Sequence, residues 1–506
     1  MAKGTVFLVG AGPGDPGLIT VRGAKCLGSA DVIVYDRLIN ERLLDLAPTE
    51  AERIFVGKSS VTHTLEQDEI ARVLINKALE GKTVVRLKGG DPFIFGRGGE
   101  EALALTDAGI GFEVVPGVTA GVAVPAYAGI PATHRGISTS VVLVTGHEDP
   151  TKECSDVDWT KVAGIGSVVV YMGVKNLPII TEALIDAGRA PETPCAVIHN
   201  GTTPRQETVE GNLGSIVDAV KKRGIEPPAI LLVGDVVKLR AKLNWFERRP
   251  LFGKRVIVTR TRQQASRQTA LLEEAGAAVV EIPLIEIGDS EGENRLRDAV
   301  ASLDLYDWVV FTSANGVDAV FGILEKVEED ARAFGKAKIA AIGPATADRL
   351  RERGISADFV PERYLSGEIA DALIAKGWVE GRTFLLPRAD IAGRELPKRL
   401  REAGAQVDEV VAYRTVPANA SREQLLGVLR ERQADIITFA SSSCVTSFVE
   451  LLSGEDIEKL IEGVCVATIG PVTSATAKEH GLPVTVEATE HTIVGMVEEL
   501  KRCTTL

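Results

Sequence analysis

A chain of 506 residues is longer than one hydrophobic core organises, so at least two domains are expected, and three or four fit better. Its 45% hydrophobic and 25% charged content is that of a soluble globular protein, neither disordered nor fibrous. With 57 basic against 70 acidic residues, a formal net charge of -13, the overall field attracts neither nucleic acid nor an anionic membrane, so an anionic substrate has to meet local cations.

The six cysteines, at positions 26, 154, 195, 444, 465 and 503, form no CxxC and no paired spacing with histidine. Neither a metal site nor a disulfide framework is expected, and a reducing cytoplasm fits. The N-terminal MAKGTVFLVGAG enters a strand pattern without a signal-peptide n-region, and the longest uncharged run, 117 to 134, is broken by Pro125, Pro131 and several glycines. No membrane segment is expected.

The first predicted strand, Thr5 to Val9, feeds into Gly10-Ala11-Gly12-Pro13-Gly14-Asp15-Pro16-Gly17. A dinucleotide fingerprint would need glycine where Asp15 stands, and Pro13 and Pro16 remove N–H donors that a pyrophosphate would use. In that reading Asp36, after the strand Val32 to Tyr35, would bind ribose, and an NAD-dependent dehydrogenase stays open as an alternative. Further strands are expected at Arg53 to Val56, Val84 to Leu87, Phe112 to Val115 and Val141 to Thr145, with an intervening helix from Glu66 to Glu80 whose Ile70, Val73, Leu74 and Leu79 recur at helical spacing. Strand and helix alternate, which predicts an α/β fold with a largely parallel sheet. After Val84 to Leu87, the turn Gly89-Gly90-Asp91-Pro92 and the cluster Gly96, Gly98 and Gly99 around Arg97 lead to Glu100-Glu101 and a helix. Strand, glycine loop and helix start form the place where an open α/β sheet holds a ligand. Short apolar runs at Ser167 to Met172, Cys195 to His199 and Ala229 to Val233 predict a second α/β lobe, and two lobes imply a cleft.

The motifs Val6 to Thr20, Tyr35-Asp36-Arg37-Leu38, Gly57-Lys58, Val84 to Glu101, Pro116 to Ala120, Thr133-His134-Arg135, Val144 to His147, Tyr171-Met172-Gly173 and Pro228 to Gly234 stand in the order and spacing of uroporphyrinogen-III C-methyltransferases, which residues 1 to 245 closely resemble. The resemblance implies two α/β lobes, about 1–147 and 148–245, with S-adenosylmethionine (SAM) in the cleft between them, and a homodimer through this half. It places the cofactor against Pro13, Gly89, Gly90, Asp91, Ile94, Thr119, Ala120, Met172, Gly201 and Ala229. Asp36 matches the family's proposed proton acceptor and Lys58 its proposed donor.

Methylating a pyrrole β-carbon builds positive charge on the ring and releases a proton, so a carboxylate near the ring assists on both counts. Glu100 is a second candidate base. A polycarboxylate tetrapyrrole needs cations, for which Arg37, Lys58, Arg97, His134 and Arg135 are the loop-borne candidates.

A charged linker, 246–251, precedes an internal duplication that needs no family knowledge. Gly253 and Gly381, Arg260 and Arg388, Ala275-Gly276 and Ala403-Gly404, Asp307 and Asp435, and Phe311 and Phe439 are each 128 positions apart. Each copy offers a hydroxyl-rich turn before a helix, Thr312-Ser313-Ala314-Asn315-Gly316 or Ala440-Ser441-Ser442-Ser443, and a Gly-Pro-x-Thr turn, Gly343 to Thr346 or Gly470 to Thr473. Such turns cap helices and can bind carboxylates.

With Leu386-Pro387-Arg388-Ala389 and Tyr413-Arg414-Thr415 between them, these motifs make residues 252–506 similar to uroporphyrinogen-III synthases, which close hydroxymethylbilane into the macrocycle with one ring inverted. The resemblance implies one lobe from 252–285 with 416–506 and an inserted lobe, 286–415, with crossovers near Ile285 and Tyr413. It aligns Tyr413 with the family's candidate acid. The synthase substrate would meet Thr312, Ser313, Asn315, Gly343, Thr346, Arg388, Ser441, Ser442 and Thr473. The expected whole is a bifunctional enzyme making precorrin-2 for sirohaem or cobalamin. A non-catalytic tetrapyrrole-binding protein is the alternative without turnover.

Overall fold

The computed structural model describes residues 3–57, 67–146, 156–260, 262–288, 293–361, 366–390 and 392–504. The chain divides into two compact units, residues 1–254 with 275–278, and residues 255–274 with 279–506. Among the described residues no helix is long and apolar enough to cross a membrane.

The first unit holds two five-stranded sheets. Strands β1 (Thr5–Gly10), β2 (Val32–Tyr35), β3 (Glu52–Phe55), β4 (Val84–Lys88) and β5 (Gly111–Val115) run in the order β3-β2-β4-β1-β5, all parallel. Helices cover both faces, which is why β1, β2 and β4 read as near-continuous apolar runs rather than alternating ones. All five residues of β4 are buried, although two of them are Arg86 and Lys88.

The second sheet contains β6 (Val141–Thr145), β7 (Ser167–Tyr171), β8 (Pro194–His199), β9 (Glu207–Asn212) and β10 (Ala229–Val233) in the order β6-β7-β10-β8-β9. Here only β6 and β7 are parallel; the β7–β10, β10–β8 and β8–β9 pairs are antiparallel. The expectation of a largely parallel sheet therefore holds for the first lobe and fails for the second. Its cause is β9, a strand not foreseen: a hairpin-like return from β8 replaces the helical crossover that a parallel partner requires.

In the second unit, β11 (Arg255–Val258), β12 (Ala278–Glu281), β13 (Ile285–Gly288), β14 (Trp308–Phe311), β15 (Lys338–Ala341), β16 (Thr383–Ala389), β17 (Gln406–Pro417), β18 (Ile436–Phe439), β19 (Cys465–Thr468) and β20 (Val484–Glu487) build two further sheets. Their orders are β12-β11-β18-β19-β20 and β13-β17-β16-β14-β15. The duplication appears in this topology. Strands β11 and β16 begin 128 positions apart, as do β12 and β17, and β14 and β18. The run β12-β11-β18-β19 is thus repeated as β17-β16-β14-β15. Each sheet takes its first pair from one sequence copy and the next pair from the other, so the two copies have exchanged halves.

Candidate active site

Three loops at the C-terminal ends of β1, β4 and β5 are knit by backbone. Gly90, held at φ +68°, donates to the Gly12 carbonyl at 2.7 Å and accepts from the Gly12 N–H at 3.2 Å. The Asp91 carboxylate accepts from the backbone N–H groups of Phe93 (2.8 Å) and Gly117 (2.9 Å), so its charge organises the loop. Across to the second lobe, the Tyr171 hydroxyl, at the end of β7, accepts from Gly121 N–H at 2.6 Å and lies 2.6 Å from Thr119 Oγ1.

The cleft so formed has a volume of about 1090 Å³. All ten residues expected around the cofactor border it, together with Asp36, Arg37 and Arg97. Four non-glycine residues on its wall, Phe95, Arg97, Met172 and Asn200, have positive φ, between 46° and 59°. Each such residue costs roughly 1–3 kcal/mol and is held only where its surroundings over-determine it, as they do around ligand clamps. Met172 was expected in a strand; β7 ends at Tyr171, and Met172 turns into the cleft wall.

Behind the wall lies a buried charge cluster. β4 and β2 are in register, Val34 beside Arg86 and Tyr35 beside Leu87, so Asp36 and Lys88 occupy the next rung. Arg86 and Lys88, two apart, share a face. Both donate to one oxygen of Glu101, at 3.2 and 2.9 Å, and the Gln67 amide donates to the same oxygen at 2.9 Å. Arg86 also reaches Asp36 at 3.4 Å, while the other Asp36 oxygen accepts from Leu38 N–H at 3.1 Å. Glu101 is wholly buried, whereas Asp36 keeps 27% of its side chain exposed. Burial, and then the Arg86 charge beside it, push the Lys88 ammonium below the usual lysine range.

The other expected residues lie elsewhere. Glu100 pairs with Arg97 at 2.7 Å on the surface and does not border the cleft, nor do His134 and Arg135, which are exposed in a tight turn bridged by His134 and Ser138. Lys58 falls outside the described residues.

In the second unit the hydroxyl-rich turns are helix starts related by the duplication. Ser313 caps the helix Ala314–Lys326 by accepting from Gly316 N–H, and Ser441 caps Ser442–Leu451 by accepting from Cys444 N–H. They differ in what else they touch. Ser313 Oγ lies 2.9 Å from the hydroxyl of buried Tyr413, and Ser441 Oγ lies 2.8 Å from Ser443 Oγ. Burial raises the Tyr413 phenol above its usual range, opposed by hydrogen bonds from Ser313 and Asn315. Arg388 is buried beside Glu409 at 3.2 Å and donates to the Gly393 carbonyl. Ser442 accepts from Thr476 Oγ1, which joins its helix to the helix Pro471–Glu479. Gly343 caps the helix Pro344–Glu352, and Thr346 and Thr473 sit buried in first helical turns rather than at the turn surface. Thr312 and Asn315 are half-buried.

Comparison with known proteins separates the two halves in the same way. Residues 5–217 match the family model of tetrapyrrole (corrin/porphyrin) methylases, and 266–498 that of uroporphyrinogen-III synthase HemD. The porphyrin biosynthesis protein HemD of Ruminiclostridium josui is 38% identical over 501 residues, 99% of this chain and 98% of that one. This chain belongs to the fused methyltransferase–synthase family. Its methyltransferase half is 53% identical, over 47% of this chain and 93% of the relative, to the S-adenosyl-L-methionine-dependent uroporphyrinogen III methyltransferase of Methanosarcina barkeri. The uroporphyrinogen-III C-methyltransferase of Bacillus subtilis is 41% identical over 70% of this chain and 72% of its own length. These matches lend no support to a dehydrogenase.

The sequence alone assigns no site role to Arg86, Lys88, Glu101, Tyr171 or Asn200. One signal was present: two cations at alternate positions of the otherwise apolar β4 must lie on one face, and a buried pair of cations needs a carboxylate.

Proposed function

We propose that the synthase half cyclises hydroxymethylbilane to uroporphyrinogen III and that the methyltransferase half methylates this product at C2 and C7 with two SAM, giving precorrin-2. The observation that carries the reading is the cleft of the first unit, where backbone turns and small apolar residues meet the part-exposed, Arg86-paired carboxylate of Asp36. The residues present fit SAM: Ile94, Ala120, Met172 and Ala229 offer apolar contacts for a flat base and the carbons around the sulfonium, and the Gly89-Gly90 turn offers backbone to the polar end. When bound, SAM supplies an electrophilic methyl group. Pro13, Thr119 and Gly201 complete the binding wall.

Asp36 accepts the proton that the methylated ring releases, and Arg37 and Arg97, joined by Arg135 further out and by Lys58, bind the ring carboxylates. In the synthase half, Tyr413 gives a proton to the departing bilane hydroxyl. The capped turns at Ser313 and Ser441, with Gly343 and Arg388, hold carboxylates so that the last ring closes inverted, which is mainly positioning work. The enzyme acts in the cytoplasm as a homodimer through its methyltransferase half.

The test is anaerobic incubation of the full chain with hydroxymethylbilane and SAM, followed by mass analysis. A macrocycle two methyl groups heavier than uroporphyrinogen is expected. No macrocycle, or one without methyl gain, sinks the combined function.

A further inference from the structure

Strand β4 carries Arg86 and Lys88 on one face although all its residues are buried. Lys88 borders the cleft, and its ammonium donates to Glu101 at 2.9 Å. Arg86 ties the same Glu101 oxygen to Asp36, at 3.2 and 3.4 Å. The Arg97–Glu100 pair stands on the loop and first helical turn that follow. With every group ionised, the buried cations Arg86 and Lys88 balance Glu101 and the part-exposed Asp36, the exposed Arg97–Glu100 pair neutralises itself, and Arg37 on the cleft wall is a solvent-exposed cation. Protonation of Asp36 leaves one uncompensated positive charge in a poorly solvated place, which is costly. Guanidinium groups cannot relieve it, because they hold their protons far above neutrality. An ammonium in a desolvated site beside another cation can, and Lys88 is in that situation.

We infer that Lys88 is a positioning residue for proton transfer at Asp36, releasing its own proton as Asp36 takes one up and so readying the site for the next methylation. The inference rests on the reading of Asp36 as proton acceptor. In the step, the bond between hydrogen and the methylated ring breaks, its electron pair stays in the ring, and the proton ends on an Asp36 oxygen. An equal proton leaves Lys88 Nζ for solvent through the cleft, and Lys88 regains one when Asp36 ionises. Nothing is oxidised or reduced.

The first readout needs neither substrate nor cofactor. In the full chain labelled with 13C at lysine Cε, the Lys88 resonance, identified by its loss in Lys88→Met, should titrate below the other lysines. Asp36→Asn, which mimics the protonated acid, should lower its midpoint further, by about one pH unit. The second readout is turnover on uroporphyrinogen III. Both Lys88→Met and Lys88→Arg should lower steady-state methylation about tenfold or more, with SAM affinity within about threefold of the parent. A packing role would be rescued by arginine; a proton-releasing role would not. A midpoint indifferent to Asp36→Asn overturns the inference, as does loss of SAM affinity in Lys88→Arg. Wild-type turnover in Asp36→Asn overturns the reading of Asp36 together with the inference. Wild-type turnover in Lys88→Arg beside an inactive Asp36→Asn overturns the inference alone.

Discussion

In the methyltransferase half the ionisable groups Asp36, Lys88 and Glu101 converge, through Arg86, in one ion-paired cluster beside a cleft whose wall carries four non-glycine residues at positive φ. In the synthase half the polar groups named for the substrate are dispersed over helix starts, and the buried tyrosine meets Ser313 and Asn315 at one of them. A concentrated site lowers the barrier through the charge and geometry of a few side chains. A dispersed one works by holding a flexible substrate in the productive shape, and no one group carries most of the effect. The first half should therefore break at single residues, and the second should degrade by degrees.

The largest break is expected from Asp36→Asn. Losing a positioned base should cost the methyl transfer about 10²–10⁴-fold, with SAM binding by calorimetry nearly unchanged, because the Asp36 carboxylate faces Arg86 and Leu38 rather than the glycine turn. Cyclisation of hydroxymethylbilane by the same variant should run at the parent rate. An unchanged methylation rate would remove Asp36 from the mechanism and, with it, the contrast between the halves.

Next comes the backbone frame. A Cβ on Gly117 would stand 2.2 Å from the Gly90 carbonyl oxygen and 2.6 Å from Gly10 Cα, and neither is the end of a flexible side chain. Gly117→Ala should push the β4 and β5 loops apart, at a cost of roughly 1–3 kcal/mol, seen as a lower melting temperature and weaker SAM binding with cyclisation intact. Wild-type SAM affinity would show that the knit of the three loops does not set the cofactor site.

How much of this was legible before the fold was known differs from residue to residue. Strands β1 and β4 of the first sheet announce themselves as largely apolar runs ending in glycine turns, and the turn at Gly89-Gly90-Asp91 points to a ligand by its composition alone. Strand β9, ETVEGN, does not: it is an edge strand with a single aliphatic residue, Val209, too few to show the alternation that marks a half-buried strand. The buried cluster was hidden for another reason. Arg86 and Lys88 declare a shared face, but their partners come from β2 and from the helix Gly98–Asp107, and only strand register brings them together. In the synthase half, the 128-residue spacing reveals the duplication yet is the same whether the copies stay separate or exchange strands. Which strands share a sheet is decided by pairing that spacing does not encode.

A smaller effect is expected at Tyr413. Its phenol is buried and its pKa is raised, first by that burial, so it keeps its proton throughout the neutral range and beyond the ordinary tyrosine midpoint of about 10. Cyclisation should thus show no alkaline limb attributable to this group below that pH. Tyr413→Phe should reduce it by less than about tenfold if the work is mostly conformational. Complete loss would make the synthase half as concentrated as its neighbour.

The smallest effect separates two adjacent glutamates. Glu100 and Glu101 occupy the same first helical turn, but the Glu101 side chain is wholly buried against Arg86 and Lys88, while that of Glu100 is 55% exposed and turned to Arg97. The hydrogen bond from Arg97 holds the Glu100 carboxyl below its usual range. A depressed carboxyl contributes stability above its unfolded pKa, about 4.3, and loses it as pH falls through the folded value, so the pair is indifferent to pH across the neutral range. Exposed and screened, it is worth about 0–1 kcal/mol. Glu100→Gln should leave methylation within about twofold of the parent, whereas Glu101→Gln should leave two buried cations short of a counter-charge and disturb both SAM binding and turnover. A large loss in Glu100→Gln would move the base from the end of β2 to the helix start, and the concentrated site would then extend to the surface of the loop.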